Sequence, residues 1–189
     1  WVSIPALCME AWLAQSSVPG AHLRSAHTLP AKPLPILMRT MELPSLEAGW
    51  DLYATRLALE WRLYSGPEAE LGQILCELWW AAQLVVDTGI HHRSWTQEES
   101  EQYLANNSVF RRSLCQNAVR DIMERPGARA AATLGLQQLQ DLQTRAETAL
   151  GPNLDLNAFH RALLERGPLP IGPLRERMQA WINERLAKR

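Results

Sequence analysis

Apolar residues recur every three or four positions along almost every long segment of this chain, and no segment alternates apolar and polar residues between turn signals. The first spacing puts side chains on one stripe of an α-helix, whereas the second is what a half-buried strand needs. An all-α fold is therefore expected. With 189 residues, 47% hydrophobic and 21% charged, the chain suffices for one sizeable core, so residues 1–189 read as a single multi-helix domain.

Proline and glycine divide the helices. Pro5 to about Ser17 reads as a first helix, broken at Pro19-Gly20. Residues 29–45 contain Pro30, Pro33, Pro35 and Pro44. Because proline removes a donor and restricts its predecessor, this stretch is expected to be a loop or short turns covering a pocket. Further helices are expected over 46–64, from 68 to about 89, from the Thr96-Gln97-Glu98-Glu99 capping-box pattern to about 104, over 109–124, from Pro126-Gly127 to 150, over 155–166 and over 171–186. In the second of these, Leu71, Ile74, Leu75, Leu78, Trp79, Ala82 and Val86 form the face expected to be buried.

The opposite flank of that helix carries chemistry. Gln73, Glu77, Trp80, Leu84, Asp87 and His91 follow at near-helical spacing, so two carboxylates, an indole and an imidazole line one side if the helix persists to His91. His91 is a candidate general acid or base, with Asp87 one turn earlier to hold its tautomer. The structural alternative places a helix end near Gly89, with Asp87 or Thr88 satisfying local backbone and His91 complementing the dipole. Glu47 and Asp51, four apart, read as paired carboxylates or as first-turn acids. Arg120 and Glu124 also have the spacing of a surface pair. His27 and His160 read as surface or satisfied helical residues.

Several function classes are excluded at this level. A net charge of -1 from 19 basic and 20 acidic residues gives no footprint for a phosphate backbone, so nucleic acid is not an expected partner. No apolar run reaches the ~20 residues that span a bilayer, and Trp1-Val2-Ser3-Ile4-Pro5 lacks the features of a secretion signal, so neither a membrane span nor a signal is expected. Cys8, Cys76 and Cys115 are odd in number and set in apolar helical patterns. They read as reduced core thiols in a cytoplasmic protein. A start at Trp1 fits a processed form or a piece of a longer protein.

Two motifs narrow the reading: Gln15-Ser16-Ser17-Val18-Pro19-Gly20-Ala21-His22 and Glu47-Ala48-Gly49-Trp50-Asp51-Leu52-Tyr53. With Leu84-Val85-Val86-Asp87-Thr88-Gly89-Ile90-His91, they make the chain resemble the bacterial domain-of-unknown-function 885 family. Its helical members are similar to zinc peptidases and carry His-Glu-x-x-Pro-Gly-His-His, Glu-Gly-Trp-Ala-Leu-Tyr and Arg-Leu-Val-Val-Asp-Thr-Gly-x-His. The resemblance runs nearly the whole length and corresponds to the C-terminal portion of longer relatives. It puts the family's first His on Gln15, its Glu on Ser16, its His pair on Ala21 and His22, and the second Glu on Ala48. A catalytic zinc takes about three protein ligands, usually imidazoles and a carboxylate. No metal and no cofactor are therefore expected.

Two functions fit these residues. In the first, the former cleft binds a small organic molecule and possesses the means to transform it by acid-base chemistry such as condensation, cyclisation or isomerisation. His91, Asp87 and His22 would be the catalytic groups, and Glu77, Trp80, Trp50, Tyr53 and Arg120 the contacts. In the second, the chain is a noncatalytic subunit that stabilises or regulates a partner protein. Either role suits a homo-oligomer or hetero-oligomer.

Overall fold

The structure, a computed structural model, describes residues 5–27, 43–165, 167 and 169–188. Among them there is no strand. A 3-10 turn, Ala6–Cys8, leads into α1 (Met9–Ser16) and α2 (Ala21–His27). These are followed by α3 (Pro44–Glu60), α4 (Pro67–Arg93), α5 (Gln97–Asn106), α6 (Arg112–Glu124), α7 (Ala128–Leu150), α8 (Leu156–Leu164) and α9 (Ile171–Ala187). No described helix is long and apolar enough to cross a membrane.

Most helix ends follow the local chemistry. Thr96 and Glu99 form the reciprocal capping box, the Glu99 N–H donating to Thr96 Oγ1 at 3.2 Å and the Thr96 N–H to Glu99 Oε2 at 2.7 Å. Asp155 Oδ1 accepts from the Ala158 N–H at 3.1 Å to open α8. Most of the proline-rich stretch falls on 28–42, outside the described residues. Its end is corrected: Pro44 begins α3, because a residue without an N–H loses nothing in the first helical turn. The helix end expected near Gly89 is corrected too. α4 runs on to Arg93, Ser94 takes the left-handed conformation at φ 57°, and the Trp95 N–H returns to the Gly89 carbonyl at 3.0 Å. Gly89 lies inside α4 because the Trp95 ring lies on it: an added Cβ would stand 2.4 Å from Trp95 Cε3.

Two apolar clusters hold the fold. One joins Leu46, Trp50, Tyr53 and Leu57 of α3 to Leu139, Leu142 and Ala146 of α7, Phe159 and Leu163 of α8, and Met178 and Ile182 of α9. The other joins Cys8 and Ala11 to Cys76, Trp79, Ala82 and Val86 of α4 and to Cys115, Val119 and Ile122 of α6. Each large side chain so buried contributes roughly 1.5–3 kcal/mol. α3 and α7 meet backbone to backbone: a Cβ on Gly135 would lie 1.6 Å from the Ser45 carbonyl oxygen, and one on Gly49 would lie 2.7 Å from Gly135 Cα. Trp79, Ala82 and Val86 are buried as their spacing requires, but Leu71, Ile74 and Leu78 are exposed. The buried face of α4 is thus narrower than its apolar face.

Candidate functional site

α3, α4 and α7 enclose an open cleft of about 440 Å³ whose walls include Leu52, Arg56, Glu77, Trp80, Leu84 and Gln140. Its surface is mainly apolar with a few convergent polar groups. Glu77 supplies one of them, but it is engaged: Arg56 donates to it from Nε at 2.6 Å and Nη2 at 3.1 Å, and Gln73 Nε2 donates at 2.6 Å. The fork geometry holds both side chains in register with the cleft wall. The Arg129 guanidinium lies over the Trp80 ring, 5.2 Å from its centre.

Trp80 is also a wall of a second pocket, about 280 Å³, lined with Gln15, Ser16, Ala21, Ala48 and Asp51. The substituted positions of the two N-terminal motifs thus come together in space. The donor set of this pocket does not fit zinc: one amide, one hydroxyl and one carboxylate, with no imidazole, fall short of the three or so imidazole and carboxylate ligands that a catalytic zinc takes. His22 is exposed and does not line the pocket. Among the described residues, no three His, Cys, Asp or Glu side chains converge on a point that could hold a metal ion. Asp51 is the ionisable residue that lines this pocket. Burial raises its carboxyl above the usual range, opposed by Arg24, whose Nε lies 3.5 Å from Asp51 Oδ1.

The remaining residues singled out from the sequence lie elsewhere. Trp50 is fully buried, and its indole N–H points to the Pro19 and Gly20 carbonyls at 3.0 and 3.2 Å, which ties α3 to the turn after α1. Asp87 is buried under the start of α7, where Oδ1 accepts from the Gly127 N–H at 2.9 Å and Oδ2 from the Arg129 and Ala130 N–H groups at 3.0 and 3.3 Å. A helix start leaves its first N–H groups without intrahelical partners, and here a carboxylate from another helix supplies them. His91 Nε2 lies 3.0 Å from the Ile122 carbonyl and 3.7 Å from Asp87 Oδ1. Asp87 and His91 therefore join α4 to the α6–α7 junction and line neither pocket. Arg120 is exposed and reaches back to Asn117 rather than to Glu124. The three cysteines are buried and free, and burial pushes each thiol up, away from nucleophilic use.

The reading of His160 as a surface or satisfied helical residue is corrected: it is buried, and its Nδ1 has no hydrogen-bond partner among the described residues. It lies between the rings of Trp50, Tyr53, Trp61 and Phe159. The Tyr53 hydroxyl donates to Gln143 Oε1 and stands 3.0 Å from His160 Nε2. With the hydroxyl proton given to Gln143, Nε2 carries the imidazole hydrogen and Nδ1 is left unprotonated, with no hydrogen-bond partner among the described residues. Burial, helped by His27, pushes the His160 pKa down to about 4. An imidazole depressed in the fold from an unfolded value near 6.5 contributes stability above that value, and the contribution is lost as pH falls towards about 4. Between these limits wild type loses on the order of 2 kcal/mol more than His160→Gln, and urea titrations at stepped pH measure it. Parallel pH profiles would mean that His160 is not held neutral by the fold.

The family model for bacterial proteins of unknown function, DUF885, matches residues 2–178. The chain belongs to this family. Among solved structures, this DUF885 chain is similar to a candidate lipoprotein from Colwellia psychrerythraea, with 29% identity and a TM-score of 0.90 over 95% of this chain and 31% of that one. It also shares the fold of a candidate lipoprotein of unknown function from Shewanella oneidensis, at 18% identity and a TM-score of 0.75 over 92% of this chain and 32% of that one. The DUF885 chain thus spans about a third of the length of either solved structure. No curated protein matches it. With candidate lipoproteins as its solved neighbours, the cytoplasmic location expected from the cysteines gains no support.

Proposed function

We propose that this DUF885 chain binds a small organic molecule, without a metal, in the two pockets that share Trp80. The observation that carries the reading is that shared wall: the Trp80 indole lines both an apolar cleft of about 440 Å³ and a pocket of about 280 Å³ whose walls include Gln15, Ser16 and Asp51. Small-molecule sites typically measure ~300–1,000 Å³ and combine an apolar lining with a few placed polar groups. The preferred ligand has a flat apolar body to lie on Trp80 and a hydrogen-bonding end for Gln15, Ser16 and Asp51. An acid-base step on such a ligand falls to Asp51, not to His91 or Asp87, because Asp51 faces the pocket and has the raised carboxyl.

The probe is 8-anilinonaphthalene-1-sulfonate, followed by fluorescence titration. Wild type should bind one equivalent, and Trp80→Ala should weaken binding at least about fivefold, the loss of roughly 1 kcal/mol expected when an aromatic contact is removed. Leu71→Ser, on the exposed side of α4 and outside both linings, should leave the affinity unchanged. Equal affinities in wild type and Trp80→Ala would remove Trp80, and with it the proposed site.

A further inference from the structure

Leu71, Ile74, Leu78 and Val85 are 48%, 58%, 48% and 38% exposed on α4. Exposed Ala81 stands between the last two. Steps of three and four put all five on one line roughly 20 Å long. Single exposed leucines are ordinary, but a continuous uncharged line of them is the mark of a covered surface. Ile74, Leu78 and Ala81 are also the outer lip of the larger cleft, so whatever covers the line also closes that cleft.

The lengths of the relatives say what the occupant is. The Colwellia psychrerythraea protein superposes on this chain with a TM-score of 0.90, yet the match takes up only 31% of it. The remaining two thirds of that protein lies outside the match, and the α4 line is an uncharged face for which the other described helices supply no partner. We infer that the Leu71–Val85 line docks a polypeptide equivalent to those remaining two thirds, presenting an apolar helical surface, and that this polypeptide roofs the cleft beside Trp80. The docking stands on exposure and relative length alone; its consequence for the ligand rests on the proposed small-molecule reading.

The test is co-expression of the 189-residue chain with the two thirds of the Colwellia psychrerythraea protein that lie outside the match, followed by light scattering on the purified species. A one-to-one complex is expected, weakened at least tenfold by the double substitution Ile74→Glu and Leu78→Glu. Both positions are exposed, so circular dichroism and melting temperature of the free chain should be those of wild type. Three results overturn the inference: a complex indifferent to the substitutions, no complex at all, or a dimer of the chain itself that the substitutions dissociate, which would make a second copy the occupant. None of these depends on whether the fluorescent probe binds at Trp80.

Discussion

Asp87→Ala should lower the free energy of unfolding by about 3–5 kcal/mol, the range seen when one partner of a buried charged contact is removed. The size follows from three backbone donors that converge on one buried carboxylate, those of Gly127, Arg129 and Ala130. Each hydrogen bond to a charged acceptor contributes roughly 1.5–3 kcal/mol, and two of the three donors, Arg129 and Ala130, are half-buried. Asp87→Asn keeps the size and one acceptor but places an amide NH₂ against the donors, so about half the loss is expected. Urea denaturation of the two variants measures this, with loss of protection at the start of α7 in hydrogen exchange. A loss below about 1 kcal/mol for the alanine variant would show that the α7 start does not depend on Asp87. A domain has only about 5–15 kcal/mol to lose, which makes Asp87 a residue of the fold before it is one of any reaction.

Gly135→Ala should also destabilise, by about 3 kcal/mol, although alanine is the better helix former by roughly 1 kcal/mol. Sterics win because the new methyl would lie 1.6 Å from the backbone oxygen of Ser45, an atom that cannot swing aside. α3 would have to lift off α7, opening the largest apolar cluster along Leu46, Trp50 and Tyr53. Gly172→Ala is the control: it is a helical glycine with nothing within 4 Å of the added methyl, so it should be neutral or mildly stabilising. Thermal melts of the two variants should therefore move in opposite directions or differ widely. Equal melting temperatures would mean that α3 and α7 tolerate separation.

Much of this architecture was legible in the residues, and the exceptions have physical causes. Helix period, the Thr96–Glu99 cap, the break at Pro126-Gly127 and the helix end at Leu150 depend on neighbours in sequence, and they appear where expected. Gly89 misled because a glycine near a helix end usually terminates it, whereas here the glycine makes room for the Trp95 ring. Leu71, Ile74 and Leu78 misled because periodicity reports an apolar face without saying what covers it. The site divided in the same way. Glu77 and Trp80 line the larger cleft, and the substituted positions Gln15, Ser16, Ala21 and Ala48 gather in the smaller pocket. Asp87 and His91 occupy the same helix flank, but their partners come from α6 and α7, which local spacing does not reveal. His160 offered no signal at all, since its surroundings of Trp50, Tyr53 and Trp61 lie about a hundred residues earlier.

The proposed site at Gln15, Ser16, Ala21 and Ala48 binds its ligand without a metal. Titrating zinc into chelator-treated protein, with elemental analysis of the dialysed product, tests it most directly. Background zinc and an unchanged probe affinity at Trp80 are expected; one zinc retained per chain, lost on substitution of His22 or Asp51, would make the pocket a metal site instead.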